Sequence, residues 1–349
     1  MEVCSAYSMT KSDWMEVIVK LGYSQHVLPF FIQGLYGDRT IWERHLEKGL
    51  IDHLNRNFDL SLPSISSVQT SHDGTVKFLL KFRDSAEVET VLIPFHKRFT
   101  VCLSTQVGCG MNCSFCYTGT QGLKRNLLGG EIVGQYIVAS RWLMEKNPSA
   151  LKPSIVFMGQ GEPLHNADEV AKSLHILNDP QILGVGHRQI TLSTVGYLKG
   201  LKKFTLFPRI NLALSLHSPF EDERMKLIPL NEKFPLTEIM PVLDEIPLLP
   251  RQFITYEYLL IKNFNMSDRH VEGLFELLGK RKAIINLIPF NPFPGTHWER
   301  PQEEEVEEFK KKLVEKKLRV MIRRTKGSEI LAACGQLKVE RLARNYGQR

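Results

Sequence analysis

Three cysteines lie close together in the segment VGCGMNCSFCYTG, namely Cys109, Cys113 and Cys116. Spacers of three and two residues let successive thiolates converge on one metal centre. The centre is either a structural zinc, which needs a fourth protein ligand, or an iron–sulfur cube with one iron open to another molecule. No second close pair of Cys or His follows nearby in the sequence. The spacing therefore favours the cube.

Small or polar side chains stand at the ends of several apolar segments further along the chain. They are Gly161 and Glu162, Ser193 and Thr194, Ser215 and His217, and Asn291. Glycine allows close approach of a backbone, and the polar groups can form hydrogen bonds with a ligand. If the apolar segments are parallel strands, their carboxyl ends meet on one face, and these residues form a ligand site there.

The elements that position these residues are repeated strand and helix patterns. From about residue 99 onward, six strand-like segments are separated by intervals long enough for a helix each. The segments are FTVCLST, SIVFMGQGEP, QITLSTVG, RINLALSLHS, QFITYEYLL and IINLIPFNP. This alternation predicts an α/β fold with a parallel sheet, as an open or partial (βα)6 barrel.

Residues 1–98 have a different pattern. KSDWMEVIVKLGY and TIWERHLEKGLIDHLNRNF are typical of helices, and SVQTSHDGTVKFLLKFRDSAEVETVLIPF predicts a β-meander with a turn at HDG. We therefore predict a small helical accessory domain over residues 1–80, which includes the start of the meander. The barrel domain is predicted over residues 81–349.

The formal net charge of +7 is concentrated at the C-terminus. Residues 319–349 carry eight Lys or Arg against two Glu. A cationic end suits a polyphosphate partner, although a solvated basic tail has the same composition. The chain starts without a signal-peptide pattern and has no apolar run of membrane length. We expect a cytoplasmic location without membrane contact, where thiols stay reduced.

The sequence around the cysteines resembles the radical S-adenosylmethionine (SAM) superfamily, in which an aromatic residue, here Phe115, precedes the last cysteine. The longer string CLSTQVGCGMNCSFCYTGTQGLKRNL is similar to the RlmN and Cfr family of RNA adenine methyltransferases. The similarity continues in order over about residues 85–340. Its further segments are VETVLIP, FMGQGEPLHN, TLSTVG, LALSLHSP, NLIPFNPFPG and AACGQL.

The resemblance implies a radical SAM barrel in which Cys109, Cys113 and Cys116 bind a [4Fe–4S] cluster. The open iron of the cluster would chelate the amino and carboxyl groups of SAM, and two SAM molecules would be used per turnover. The residues that match the family's SAM contacts are Gly161, Glu162, Ser193, Ser215, Leu216, His217 and Asn291.

The resemblance also implies two catalytic thiols and one base. Cys334 in LAACGQL matches the cysteine that carries the methyl group, and Cys102 matches the thiol that releases the product through a transient disulfide. Glu89 in VETV matches the acidic residue that accepts a ring proton. A buried structural cysteine and a strand-edge glutamate are the alternatives at such positions.

The implied reaction is methylation of carbon 2 of an adenosine in large-subunit (23S) ribosomal RNA, with a tRNA adenosine left open as a second substrate. GEPL, NPFPG and RRTKG follow the RlmN pattern, whereas the SLHSP segment is closer to Cfr, which keeps carbon 8 as an alternative. A zinc-stabilised, non-catalytic RNA-binding protein is a third interpretation. The family further implies a flavodoxin-type electron donor, and we expect a monomer.

Two departures from the family pattern accompany the resemblance. Gln160 stands where the family usually has Met in GMGEP, and only one of the two acids usual before AACGQL is kept, in SEILAACGQL. The first 80 residues match neither RlmN nor Cfr well. This N-terminal part is expected to contact RNA.

Overall fold

The computed structural model describes residues 4–96 and 98–339 of the chain. Its strands are β1 (Cys4–Ser5), β2 (Phe58–Asp59), β3 (Ser64–Thr70), β4 (Val76–Lys81), β5 (Glu87–Phe95), β6 (Arg98–Cys102), β7 (Gln106–Gly108), β8 (Leu123–Asn126), β9 (Ser154–Phe157), β10 (Ile190–Thr194), β11 (Asn211–Ser215), β12 (Ile254–Leu260), β13 (Ala283–Pro289) and β14 (Val320–Ile322). Ten of these strands form one sheet in the order β14-β13-β12-β11-β10-β9-β6-β5-β4-β3.

The helices lie between and before these strands. They are α1 (Lys11–Lys20), α2 (Leu28–Tyr36), α3 (Thr40–His45), α4 (Lys48–Asn57), α5 (Gly129–Lys146), α6 (Ala167–Asn178), α7 (Leu198–Leu201), α8 (Glu221–Leu227), α9 (Leu236–Asp244), α10 (Asp268–Leu278) and α11 (Glu303–Glu315). From β6 onward at least one helix separates each strand of the large sheet from the next, as the sequence pattern predicts.

The six predicted strands β6, β9, β10, β11, β12 and β13 are parallel to one another in the sheet. β12 and β13 are buried along almost their whole length, which explains their nearly continuous apolar sequences. β14 adds a further parallel strand beside β13, which the sequence analysis did not predict. The α/β partial barrel is confirmed, with β14 as an extension at one edge.

The predicted meander is also present, and it continues the barrel sheet. β5 pairs antiparallel with β6, and β4 and β3 follow as antiparallel neighbours. The turn at HDG contains Gly74 with a φ of 81°, a conformation that favours glycine. The domain boundary predicted after residue 80 falls inside β4, and the division into two domains stays a prediction.

The N-terminal helices pack around Trp14, which is fully buried against Phe31 and Phe58. The helix predicted over residues 40–58 is two helices, α3 and α4, because Leu46 adopts an extended conformation between them. The segment before α1 contacts the barrel through α5, where the Gly130 N–H donates to Ser8 Oγ at 2.8 Å. No helix among the described residues is long and apolar enough to cross a membrane.

Candidate cofactor and thiol site

The loop that carries the three cysteines follows β7 and is tightly folded. Gly108, the last residue of β7, has a φ of 76°, and a Cβ at this position would lie 1.9 Å from the Gly122 carbonyl oxygen. Only glycine fits there. The Cys116 N–H donates to the Cys113 carbonyl at 3.1 Å, which closes the second spacer into a turn. The spacing of the cysteines is therefore matched by a compact backbone.

Helix α8 and one tryptophan cover the outer side of this loop. The Ser114 N–H donates to the Leu227 carbonyl at 3.0 Å, and Ser114 Oγ donates to the Lys226 carbonyl at 2.9 Å. Trp298 Nε1 donates to Ser114 Oγ at 3.3 Å. These contacts fix the short segment between Cys113 and Cys116.

The chemistry of the three free thiols fits an iron–sulfur cluster. Cys109 and Cys113 are buried and Cys116 is half-buried. Burial raises the pKa of Cys109 to about 12 and the pKa of Cys113 well above its usual value. Thiolates in such surroundings need a positive partner, which a metal cluster supplies. Over the described residues, no three Cys, His, Asp or Glu side chains form a group that could hold a single metal ion.

A cavity with about 970 Å³ of empty space lies beside the cysteines, at the carboxyl ends of the parallel strands. It is bordered by nine of the predicted site residues, namely Cys109, Cys113, Cys116, Gly161, Glu162, Ser193, Ser215, His217 and Cys334. Large apolar side chains complete its wall, including Met111, Phe115, Leu259, Ile288 and Phe290. We call this space the large cavity. It brings together the predicted cluster ligands and most of the predicted SAM contacts.

The carboxylate of Glu162 is buried at the edge of the large cavity and bonded to the end of β10. Oε1 accepts hydrogen bonds from Thr194 Oγ1 at 2.6 Å and from the Leu164 N–H at 3.0 Å, and Oε2 accepts one from the Val195 N–H at 3.0 Å. Burial raises the pKa of Glu162 to about 7. A carboxylate has about four acceptor positions, so Oε2 retains capacity for a ligand's ammonium or hydroxyl group.

His217 presents an unpartnered donor at the large cavity. Its Nδ1 accepts the Leu259 N–H at 3.0 Å, so the neutral ring carries its proton on Nε2. Among the described residues Nε2 has no hydrogen-bond partner, although it is buried. Burial, helped by the nearby charge of Arg224, lowers the pKa of His217 to about 3. A neutral N–H group is thus available to an acceptor in the cavity.

Two further predicted SAM contacts, Gly161 and Leu216, lie in different surroundings. Gly161 has a φ of 101°, and a Cβ there would lie 2.6 Å from the Gln106 side chain, so packing within the protein already requires glycine. Leu216 is fully buried and does not border the cavity. Its N–H donates to the Glu257 carbonyl and its carbonyl accepts the Ser218 N–H. The structure therefore leaves Leu216 outside the assembled site.

Asn291 belongs to a second, smaller cavity. This small cavity has about 490 Å³ of empty space and is bordered by Asn291, Cys102 and Cys334. Asn291 Nδ2 donates to the Cys334 carbonyl at 3.3 Å, and Asn291 Oδ1 accepts from Arg300 and from Thr325, each at 3.0 Å. Asn291 therefore orients the backbone that carries Cys334.

Cys334 borders both cavities, and its loop is tied to three parts of the fold. The Gly327 N–H donates to Asp73 Oδ2 at 3.0 Å in the meander turn. The Gly335 carbonyl accepts the Tyr117 N–H at 2.6 Å, directly after the last cluster cysteine. Gln336 Nε2 donates to the Pro292 carbonyl at 2.7 Å beyond β13. These bonds hold the Cys334 loop (residues 327–338) between the two cavities.

Cys102 and Cys334 face a basic wall in the small cavity. Arg323, Arg324 and Lys326 line the same space. Burial raises the pKa of Cys102 to about 12, and the neighbouring Cys334 adds to this effect while Arg323 opposes it. The charge that Cys334 can carry, with smaller contributions from Glu257 and Cys102, raises the pKa of Arg323. Two free thiols and one guanidinium therefore interact electrostatically.

Glu89 is buried on β5 instead of lying at an exposed strand edge. Its Oε1 pairs with Lys77 Nζ at 2.9 Å, and its Oε2 accepts the Lys338 N–H at 2.7 Å from the Cys334 loop. Gln160 holds the same strand, because its Oε1 accepts the Glu89 N–H at 2.9 Å. Gln160 Nε2 donates to Gln121 Oε1 at 3.0 Å, behind the cysteine loop. Gln160, a departure from the family pattern, thus joins Glu89 to the cluster region.

Sequence reasoning assigned no site role to Arg224, Arg323 or Lys77. The RRTKG segment that contains Arg323 carried part of the resemblance, but not a chemical role. Lys77 lies in the meander, where nothing local marks its pairing with Glu89. Arg224 lies on α8 in the highly charged segment EDERMKL, which is typical of an exposed helix face. Their positions follow from contacts between distant segments.

Comparison with known proteins identifies the class. No family model matches the chain. A solved structure of a radical SAM methyltransferase from Sphaerobacter thermophilus superposes with a TM-score of 0.88 at 33% identity, covering 97% of this chain and 100% of that chain. The fold is that of a radical SAM methyltransferase.

Two curated relatives narrow the class to a family. A dual-specificity RNA methyltransferase RlmN from Solidesulfovibrio magneticus is 41% identical over 295 residues, covering 84% of each chain. Another from Nitratidesulfovibrio vulgaris is 43% identical over 294 residues, covering 82% of this chain and 80% of its own length. The chain belongs to the RlmN family of radical SAM enzymes, which use a [4Fe–4S] cluster and SAM.

Proposed function

We propose that this protein is a SAM-dependent RNA methyltransferase that acts on carbon 2 of an adenosine by a radical mechanism. The observation that carries the proposal is the position of Cys334, which borders both the large cavity and the small cavity with its second thiol. One cysteine can thus meet a methyl donor on one side and a resolving thiol on the other.

In the large cavity, Cys109, Cys113 and Cys116 are the proposed ligands of the [4Fe–4S] cluster. When bound, the cluster supplies the one-electron reductive cleavage of SAM. Gly161, Glu162, Ser193, Ser215 and His217 border the space that SAM would occupy, and we assign them to SAM binding. Asn291 and Leu216 are assigned to the support of this site, Asn291 through its bond to Cys334 and Leu216 through its backbone bond to Glu257.

In the small cavity, Cys334 is the proposed methyl carrier and Cys102 the resolving thiol. Attack of Cys102 on the Cys334 sulfur would release the methylated base and leave a disulfide between them. Arg323 favours the thiolate form that such an attack requires. Glu89 is the proposed proton acceptor, and its ion pair with Lys77 favours the carboxylate form that accepts a proton.

The proposed substrate is an adenosine of large-subunit ribosomal RNA, with tRNA as a second RNA substrate. The relatives are named dual-specificity RNA methyltransferases. An adenosine must leave its stack before its ring edge meets a side chain inside a barrel, which favours a loop nucleotide. Arg324 and Lys326 beside the small cavity can hold phosphates. The other predicted C-terminal cations, Arg341, Arg344 and Arg349, lie outside the described residues.

The proposed function also includes an RNA-contacting domain, an electron donor, an oligomeric state and a location. We assign RNA contact to the accessory domain of residues 1–80, beside the barrel domain of residues 81–349. A flavodoxin-type protein is the proposed electron donor, and the monomer is the proposed state. Free thiols at the site require a reducing compartment, which supports a cytoplasmic location.

Mass spectrometry of ribosomal and transfer RNA from cells with and without the gene tests this function. We expect 2-methyladenosine to be present only with the gene. Exclusive formation of 8-methyladenosine would move the protein to the Cfr-type reaction, and untouched RNA would refute the substrate class. Anaerobic visible absorption of the purified protein separates the cluster, which is coloured, from a colourless zinc protein.

A further inference from the structure

Arg224 is a completely buried cation that is bonded only to neutral groups. Its side chain is 0% exposed. One terminal nitrogen donates to Asn231 Oδ1, and the other donates to the carbonyls of Val195 at 2.7 Å and Ser215 at 3.1 Å. The Nε atom is buried and has no partner among the described residues. Burial of an ion without a counter-charge is costly.

The acidic neighbours of Arg224 on α8 are engaged elsewhere. Glu223 pairs with Arg269 at 2.7 Å and with His270 at 2.8 Å. Glu221 Oε2 accepts a hydrogen bond from Asn231 Nδ2 at 2.7 Å, so it contacts the guanidinium through Asn231. The ion pairs found among the described residues do not include Arg224. A further negative charge is therefore expected nearby when the site is filled.

The cluster loop is the adjacent structure that can supply this charge. The C-terminal end of α8 contacts this loop, because Ser114 donates hydrogen bonds to the Lys226 and Leu227 carbonyls. Leu227 packs in the same buried cluster as Cys113. A negative charge on the Cys113 sulfur would act on Arg224, and an arginine guanidinium stays protonated in proteins.

The carbonyls that Arg224 binds belong to the wall of the large cavity. Val195 and Ser215 both border it, at the ends of β10 and β11. The Val195 N–H is also the group that donates to Glu162 Oε2. Arg224 therefore lies directly behind the strand ends that face the cluster ligands.

We propose that Arg224 is the fixed counter-charge of the iron–sulfur cluster and raises its reduction potential. This inference rests on the proposed function, since it requires a cluster bound by Cys109, Cys113 and Cys116. Three thiolates outweigh the charge of an oxidised cube, and reduction by one electron from a low-potential donor adds one more negative charge. A nearby buried cation stabilises the reduced form more than the oxidised form.

The test is a redox titration of the anaerobically reconstituted full chain without SAM, with dithionite as reductant and the reduced cluster followed by electron paramagnetic resonance. In Arg224→Gln we expect the reduction equilibrium to fall about tenfold, a shift of about 59 mV to lower potential for one electron. Arg224→Lys keeps the charge and should retain most of the potential. Lys226→Gln removes an exposed charge from the same helix and should change the equilibrium less than threefold.

Glu221→Gln provides a second variant with the opposite sign, which is informative even if Arg224→Gln does not fold. Removal of its negative charge should raise the potential, because Glu221 is the acid that acts most strongly on Arg224. An unshifted potential in a folded, cluster-bearing Arg224→Gln, or a lowered one in Glu221→Gln, overturns the inference alone. A wild-type chain that takes up no iron and sulfide overturns the proposed function together with it.

Discussion

The two cavities share Cys334 but differ in the origin of the charge around their thiols. In the large cavity, Cys109 and Cys113 are surrounded by apolar side chains, and burial raises the pKa of both. In the small cavity, Cys102 is equally buried but lies beside the guanidinium of Arg323. The first set of thiols faces a mainly apolar wall with Arg224 behind it, whereas Cys102 lies directly beside the guanidinium of Arg323, which borders both cavities.

This difference separates metal binding from thiol chemistry within one active site. A thiol that binds iron gains from surroundings that exclude water. A thiol that must attack a sulfur gains from a nearby positive charge, since the thiolate is the nucleophile. Cys334 borders both the mainly apolar large cavity and the small cavity with its nearby cations.

The largest expected effect comes from removing the ligands of the large cavity. The triple variant Cys109→Ala, Cys113→Ala and Cys116→Ala should lose its iron and sulfide and all RNA methylation, because no other described group of ligands can replace them. Iron and sulfide analysis after anaerobic reconstitution measures this. Cys4→Ala, at an exposed cysteine, is the control and should keep a full cluster. A full cluster in the triple variant would contradict the assignment.

The next effect concerns the second thiol of the small cavity. Cys102→Ala should stop turnover after RNA is joined to the protein through Cys334, because no thiol remains to release it. A ribonuclease-sensitive shift on a denaturing gel, with the modified peptide located by mass spectrometry, detects this species. The double variant Cys102→Ala, Cys334→Ala should show no such band. Multiple turnover by Cys102→Ala would remove this thiol from the mechanism.

A smaller effect is expected from the buried carboxyl group of the large cavity. The pKa of Glu162 is raised from its ordinary 4.5 to about 7, so between these pH values the folded protein binds a proton that the unfolded chain does not. The contribution of Glu162 to the free energy of unfolding therefore falls as pH rises from 4.5 to about 7, by about 3 kcal/mol at most.

Chemical denaturation of the cluster-free chain at pH 5 and pH 7.5 measures this dependence. In Glu162→Gln, the free energy of unfolding should lose this part of its pH dependence. His217, whose pKa is lowered to about 3, contributes with the opposite sign between its two pKa values and is present in both proteins. An identical slope in wild type and variant would show that the Glu162 carboxyl titrates normally.

The smallest effect tests the cation of the small cavity. Arg323→Gln should raise the pKa of the Cys102 thiol and slow its alkylation by iodoacetamide about tenfold at pH 8, a change of about 1.4 kcal/mol. Arg324→Gln removes a matched cation from the same wall and should have a weaker effect, because Arg323 is the cation whose charge lowers the pKa of Cys102. Equal slowing in both variants would show that the total positive charge of the wall, and not Arg323 in particular, controls alkylation.

Local sequence patterns predict much of this fold, and the reasons are physical. The parallel strands show in the sequence because burial on both faces leaves short, nearly continuous apolar segments. The cysteine spacing is visible because its geometry is set within eight residues. β14 is short and only partly buried, so it leaves little periodic signal. The break between α3 and α4 depends on the extended Leu46, which no breaker residue marks.

The parts that the sequence does not reveal depend on contacts between distant segments. Arg224 and Arg323 resemble surface cations until packing places them beside thiols. Glu89 resembles an exposed strand residue, and only the folded chain pairs it with Lys77 and the Cys334 loop. Long-range pairing has no local period, so single-sequence reasoning finds such residues only through resemblance.

The bonds of the Cys334 loop have a consequence for how the protein is made. Gly327 meets Asp73, and Lys338 meets Glu89, so partners in these bonds are separated by 254 and 249 residues of chain. Contacts of such high sequence separation form late, and a ribosome delivers the C-terminal partner last. The nascent chain therefore displays the cysteine loop and Cys102 before Cys334 has been added. The two cavities can be completed only after the Cys334 loop has left the ribosome.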